Sequence, residues 1–303
     1  MTKPPTNLPA SVRDRLLQRS RQQGEDFMLT LTRYAVERFL YRLSLSPHAE
    51  KFVLKGAALF AVWAHQPYRP TRDVDFLGKG ESSAEALRTN FTEICQTEVA
   101  EDGLIFVTES IRITEIREEH EYRGQRVQLT AMLGKASIPV QVDIGFGDAV
   151  FPVSEFVRYP TLLDLPAPQI YAYPKESVVA EKLQAMVALG RANSRMKDYA
   201  DLLTLSQDFP FEGSRLAPAI GATFERRKTG IPRTTPDGVS DAFGQDPEKA
   251  RQWEAFRNRN DLDRQLSLGT VVARIRQFVE LPMLAAADAG DFTATWTPGG
   301  PWR

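Results

Sequence analysis

Asp73 and Asp75 stand one residue apart in Thr71-Arg72-Asp73-Val74-Asp75-Phe76, where carboxylates alternate with apolar side chains. Strand residues two apart face the same way. The spacing therefore predicts two carboxylates on one sheet face, with Val74 and Phe76 turned into a core. Adjacent carboxylates repel unless a cation lies between them. The hard divalent cation that suits carboxylate oxygen and also takes substrate phosphates is Mg²⁺, with Mn²⁺ close in ligand preference. An isolated Asp-x-Asp is more simply a solvated pair at a strand end. The upstream residues change that balance. Gly56 opens an apolar, helix-forming run over 57–63, and a short loop with Pro67, Arg69 and Pro70 joins it to the acidic pair. Backbone N–H groups at a helix start bind anions. A phosphate cradle beside a metal pair is the equipment of nucleotidyl transfer.

Three further positions fit that chemistry. Asp143 alternates with Val142 and Ile144 on a strand expected over 138–146, antiparallel in the sheet. It could serve as a third metal ligand or as a general base toward an attacking hydroxyl. Asp148 is its rival. Glu181-Lys182 falls in the middle of a helix expected over 175–189, where a lysine can hold phosphate as a point charge or simply be solvated. Arg195-Met196-Lys197-Asp198-Tyr199-Ala200-Asp201 places Asp198 and Asp201 on one helix face. Asp198 could orient Lys182; the plainer alternative is two acids favoured by the helix dipole.

The elements that must position these groups follow from the pattern. Residues 12–45 read as amphipathic helix, broken near Gln22-Gln23-Gly24. Ser82-Ser83 can cap a helix over 84–95. Alternation over 111–118 and 126–133 predicts a strand pair with its turn at or beside Gly124-Gln125. Pro152, Pro160, Pro166, Pro168 and Pro174 make 151–174 an irregular boundary. Beyond it the pattern is helical, with Ser194 a possible cap for 195–207 and further helices at 214–226, 246–259 and 266–281. The stretch 228–244 and the tail from Ala289 read as loop. The expected fold is α+β: N-terminal helices over 1–50, a mixed or antiparallel sheet domain with flanking helices over 51–165, and a helical domain over 166–303.

Composition narrows the possibilities. The chain has 303 residues, 42% hydrophobic and 25% charged, with a net charge of −1, so bulk charge does not draw it to nucleic acid. Any RNA contact must come from local clusters such as Arg226-Arg227-Lys228 or Arg251, Arg257, Arg259 and Arg264, which are equally an ordinary solvated surface. One cysteine, Cys95, rules out an internal disulfide, and three histidines make a zinc site unattractive. No apolar run approaches membrane-spanning length and no signal region opens the sequence, so a cytoplasmic protein without membrane contact is expected.

Taken in order, Lys55-Gly56-Ala57, Arg69-x-Thr71-x-Asp73-x-Asp75, Gln141-Val142-Asp143, Glu181-Lys182 and Lys197-Asp198-x-x-Asp201 resemble the AbiEii/AbiGii toxin family. These are MenT-like nucleotidyltransferases of the DNA polymerase β superfamily, found in bacterial toxin–antitoxin systems. The resemblance covers roughly residues 30–210. It implies metal ligands at Asp73, Asp75 and Asp143, and nucleotide contacts from Lys55, Gly56, Ala57, Arg69, Thr71 and Lys182, with Asp198 completing the site. Ala57 departs from the superfamily, which usually has Ser or a second Gly there; backbone N–H groups can still bind phosphate. The implied reaction moves a nucleoside monophosphate from an NTP, a pyrimidine NTP favoured, to the acceptor end of tRNA and releases pyrophosphate. An antitoxin encoded beside the gene is the implied partner. The alternatives are a transferase acting on a small molecule such as an antibiotic, and an inactive binding module.

Overall fold

The computed structural model describes residues 7–64, 73–117, 123–260, 262 and 266–303. Arg69, Thr71 and the loop prolines before Asp73 lie outside the described residues, as does Arg264. The chain divides into two compact units: Met1–Gly147 with Glu155–Ala172, and Asp148–Ser154 with Tyr173–Arg303.

The first unit carries helices α1 (Leu8–Gln23), α2 (Phe27–Leu45), α3 (Leu59–Ala64) and α4 (Ala84–Gln96). Its strands are β1 (Phe52–Lys55), β2 (Asp73–Gly78), β3 (Leu104–Arg117), β4 (Arg123–Leu133), β5 (Ala136–Phe146), β6 (Glu155–Arg158) and β7 (Gln169–Ala172). Among the described residues these seven form one sheet in the order β3-β4-β5-β2-β1-β7-β6. The sheet is mixed: β2 runs parallel to β5, and β1 parallel to β7. The break expected near Gly24 and the cap expected at Ser82-Ser83 are present. Gly24 ends α1, Asp26 accepts from the Leu29 N–H to start α2, and Ser83 accepts from the Ala86 N–H to start α4.

The core of this unit explains the alternation in β2. Phe76 lies 5.8 Å from Phe52 of β1, ring centre to ring centre, and Phe52 meets Phe91 of α4 at 5.6 Å. Phe91 stacks on Phe39 of α2 at 5.4 Å, and Phe39 meets Phe106 of β3 at 6.0 Å. Each such ring, fully buried, contributes roughly 1.5–3 kcal/mol. A one-residue slip of β2 would put Asp75 into this cluster and Phe76 into the polar face, which fixes the register.

Three expectations need correction here. Gly124 and Gln125 themselves are not the turn but pair with Ile116 and Glu115 inside the β3–β4 ladder, while the neighbours that the expectation also allowed, 118–122, lie outside the described residues. A Cβ on Gly124 would sit 3.0 Å from Ile116 Cγ1, so glycine there makes room across the ladder. Asp143's strand is antiparallel to β4 yet parallel to the Asp-x-Asp strand. The 151–174 stretch holds two strands, β6 and β7, between its prolines rather than being irregular throughout.

One buried charge in this unit gives a pH signature. Glu37 of α2 accepts the Leu162 N–H at 2.6 Å and touches Arg38 Nε at 3.0 Å, while Arg38 donates to the Pro166 carbonyl at 2.6 Å. Both side chains are 1% exposed. Burial pushes the Glu37 carboxyl up to about 7, against the opposing pull of Arg38 and the Leu162 N–H. A carboxyl raised on folding favours the protonated native state. Its contribution is full below the ordinary carboxylate range and is lost as pH rises through about 7. Chemical denaturation should show the parent losing up to about 3 kcal/mol from this group between pH 5 and pH 8. Glu37→Gln should flatten that slope; an unchanged slope would remove Glu37 as its source.

The second unit carries α5 (Lys175–Leu189), α6 (Met196–Asp208), α7 (Gly213–Arg226), α8 (Asp241–Gly244), α9 (Pro247–Asn260) and α10 (Leu268–Asp288), with β8 (Phe211–Glu212) pairing β9 (Thr295–Trp296). The tail is therefore not simply irregular. Trp296 packs on Phe278 at 5.0 Å and donates its indole N–H to the Ser206 carbonyl at 2.7 Å. Ser194 is not the cap of α6; Arg195 holds that position, without a side-chain cap bond. Short helical turns at Asp237–Val239 and in α8 occupy part of the expected 228–244 loop.

Candidate active site

In the first unit the polar face of the sheet carries two rows of side chains. Lys55, Asp75, Asp143 and Arg126 are ladder neighbours across β1, β2, β5 and β4. Asp73, Gln141 and Gln128 form the next row, two residues along each strand. Directly paired residues face the same side, so Asp73, Asp75 and Asp143 share the face away from the aromatic core. Asp73 and Asp75 are partly exposed, whereas Asp143 and Lys55 are buried.

Arg126 grips Asp143 with two parallel hydrogen bonds, Nε to Oδ1 and a terminal nitrogen to Oδ2, both 2.7 Å. This bidentate geometry is the strong form of the pair. The Asp143 hydrogen bonds, with the charges of Asp143, Asp73 and Asp75, hold the guanidinium above even its ordinary range. Sequence reasoning missed Arg126. The available signal was its place at the head of the polar run Arg126, Gln128, Thr130 on the strand preceding Asp143.

Gly56 sits against the acidic pair. Its φ is +74°, in the left-handed region that favours glycine, and a Cβ built there would overlap the Asp75 carboxylate, 2.8 Å from Cγ. Gly56–Ala58 forms a 3-10 turn leading into the six-residue α3. The Gly56 backbone is thus in immediate contact with the Asp75 carboxylate, and both this approach and the positive φ favour glycine there.

The second unit holds the other predicted residues. Lys182 of α5 contacts Asp198 Oδ1 and Asp201 Oδ2 of α6, each at 2.7 Å, and Arg195 Nε meets Asp198 Oδ2 at 2.6 Å. Asp198 and Asp201 are almost completely buried. Burial raises an acid, but at Asp198 the charges of Lys182 and Arg195 outweigh it and hold the carboxyl below the usual range. Asp201 stands well above that range because burial dominates. Sequence reasoning placed both acids on one face yet gave Asp201 no contact with Lys182. Asp148, the rival to Asp143, belongs to this unit and accepts from Arg227 at 3.1 Å. Arg227 also donates to Gln184 Oε1 at 2.9 Å, so it braces α5 from the end of α7. Its neighbours Arg226 and Lys228 are exposed.

A hard cation fits the Asp73–Asp75 pair by donor chemistry: two carboxylates on one face, partly open. Asp143 is the neighbouring carboxylate, with both oxygens engaged by Arg126. Among the described residues no group of three or more His, Cys, Asp or Glu side chains comes together in a metal-holding arrangement.

The family model described as "Nucleotidyl transferase AbiEii toxin, Type IV TA system" matches residues 38–280. No curated protein matches the chain. Among solved structures it is similar to JHP933 from Helicobacter pylori, at 15% identity and a TM-score of 0.47 over 83% of this chain and 90% of that one. A second H. pylori chain is similar at 14% identity and a TM-score of 0.44, over 83% and 93%. No helix among the described residues is long and apolar enough to cross a membrane. With the family match running from α2 to α10, the chain belongs to the AbiEii nucleotidyl transferase toxins of type IV toxin–antitoxin systems.

Proposed function

We propose that this chain transfers a nucleoside monophosphate from an NTP, with a pyrimidine base favoured, to the acceptor end of tRNA. The acceptor hydroxyl oxygen bonds to the α-phosphorus, and the bond from that phosphorus to the bridging oxygen of the β-phosphate breaks. Pyrophosphate leaves with the electron pair, and the hydroxyl proton passes to a carboxylate or to water. The observation that carries this is the contact of the Gly56 backbone with Asp75, beside Asp73 on the same polar face. A turn able to present N–H groups to phosphate thereby adjoins a pair able to hold Mg²⁺ or Mn²⁺.

Asp73 and Asp75 would hold the metal, which when bound neutralises phosphate charge as the bond breaks. Asp143 either joins that set through one oxygen or takes the hydroxyl proton, using a lone pair that the two Arg126 bonds leave free. Lys55, Gly56, Ala57, Arg69, Thr71 and Lys182 are assigned to the nucleotide, with Asp198 holding Lys182 in place. The antitoxin is a partner encoded nearby, and the site of action is the cytoplasm, where NTPs and tRNA are found.

The test is incubation of the purified protein with each labelled NTP, Mg²⁺ and total RNA. Label is expected in the tRNA band, strongest with CTP or UTP, and removed by a 3′-exonuclease. Label on an aminoglycoside or small alcohol with none on RNA would replace the tRNA assignment by a small-molecule transferase.

A further inference from the structure

A cavity of about 450 Å³ opens in the first unit beside Asp73, within the roughly 300–1,000 Å³ usual for small-molecule sites. It lies where the β2–β5 ladder begins at Asp73 and Gln141, while β5 has already been paired with β4 from Ala136. β4 and β5 flank β2 on one side, whereas β1 and the Gly56 turn flank it on the other. The acidic pair thus separates the cavity from the turn assigned to phosphate.

The lining selects a chemistry. Among the described residues that line it, Asp73 is the one charged side chain. A phosphate there would face the Asp73 carboxylate. Met28 and Pro139, both exposed, supply apolar surface, while Leu129 and Val140 are buried on the core face of the sheet. The Ser110 hydroxyl is spent on the Val107 carbonyl and the Thr130 N–H, and that of Thr32 on its own helix. The amides of Gln128 and Gln141 meet each other at 3.4 Å. Whichever way the two amides are turned, that link leaves a donor on one and an acceptor on the other. Adjacent donor and acceptor beside apolar surface match the edge and a face of a nucleobase.

We propose that this cavity binds the terminal nucleobase of the acceptor. The acceptor role rests on the transfer function proposed above. Displacement at phosphorus runs in line, with the nucleophile entering opposite the leaving group. With pyrophosphate departing on the Gly56 side of the acidic pair, the hydroxyl enters from the cavity side.

The four ribonucleosides and their 5′-monophosphates, titrated calorimetrically into the full chain without metal or NTP, test the site. At least one nucleoside should bind saturably, and its 5′-phosphate should not tighten binding. Gln128 and Met28 are exposed, so substitution there should leave the thermal midpoint in place. Gln128→Leu should weaken nucleoside binding roughly tenfold, and Met28→Trp should block the cavity, while NTP affinity stays at the parent value in both. No saturable nucleoside binding, or binding that ignores both variants, overturns the site. A parallel fall in NTP affinity overturns the acceptor assignment, because the cavity then holds the base of the NTP. Variant-sensitive nucleoside binding in a protein that labels no acceptor keeps the base site and removes the transfer function instead.

Discussion

Asp75→Asn is expected to lower nucleotide transfer by roughly 10³-fold, the order of loss when one preorganised electrostatic group is removed from a reacting centre. Asp73→Asn should do the same. Asparagine keeps the shape that packs on Gly56 but removes the charge that a divalent cation needs. The fold should survive, since Asp73 and Asp75 are only half-buried on the polar face and the aromatic core lies on the other. Relieving like-charge repulsion on one strand face costs little. Arg126 keeps its two bonds to Asp143 in both variants. Three readouts decide the matter: transfer to RNA, the thermal midpoint, and Mn²⁺ binding followed by electron paramagnetic resonance. Loss of activity and of Mn²⁺ binding at an unchanged midpoint is the expected result. Transfer retained in both variants would remove the metal assignment.

That pair was legible because strand alternation is a local signal. Val74 and Phe76 had to be buried, so Asp73 and Asp75 had to share the opposite face. Asp143 was legible for the same reason, one strand away. Its partner was not. Arg126 meets Asp143 through a ladder register set across the β4–β5 hairpin, and an arginine on a polar strand face reads from sequence as solvated. Asp201 shows the same limit. Its helix face followed from spacing, but its burial against Lys182 is a product of helix packing. The strands β6 and β7 escaped because each has four residues between prolines, and β7 finds its parallel partner β1 more than a hundred residues upstream. Arg227 looked like part of a surface cluster with Arg226 and Lys228, yet only the structure ties it to Asp148 and Gln184. A triple substitution of that cluster would therefore test stability as well as RNA contact, and Arg226 with Lys228 make the cleaner pair.

Lys182→Ala should be costly in stability before it is costly in substrate binding. Lys182 contacts two buried carboxylates at 2.7 Å each. Removing one partner of a buried ion pair typically costs about 3–5 kcal/mol, because the other charge stays behind. Asp198 would keep Arg195, but Asp201 would stand buried beside another carboxylate on its own helix face. The pH dependence gives the sign. In the parent, Asp198 is held below the usual range, so its contribution is present at neutral pH and lost as pH falls through its folded-state value. Asp201 is already raised by burial, and the loss of Lys182 raises it further. A raised carboxyl stabilises at low pH and loses that contribution as pH rises. The gap between parent and Lys182→Ala should therefore narrow on acidification from pH 8 to pH 5. Lys182→Ala/Asp201→Asn should recover much of the loss at pH 8, since the second change removes the charge of the buried carboxylate that has lost Lys182. NTP affinity, measured well below each midpoint, then isolates the nucleotide role: a further loss of about 1.5–3 kcal/mol is expected if Lys182 also donates to phosphate. A double variant restored in stability and still binding NTP like the parent would confine Lys182 to bracing α6, whereas an unchanged midpoint in Lys182→Ala would show that the two carboxylates do not depend on it.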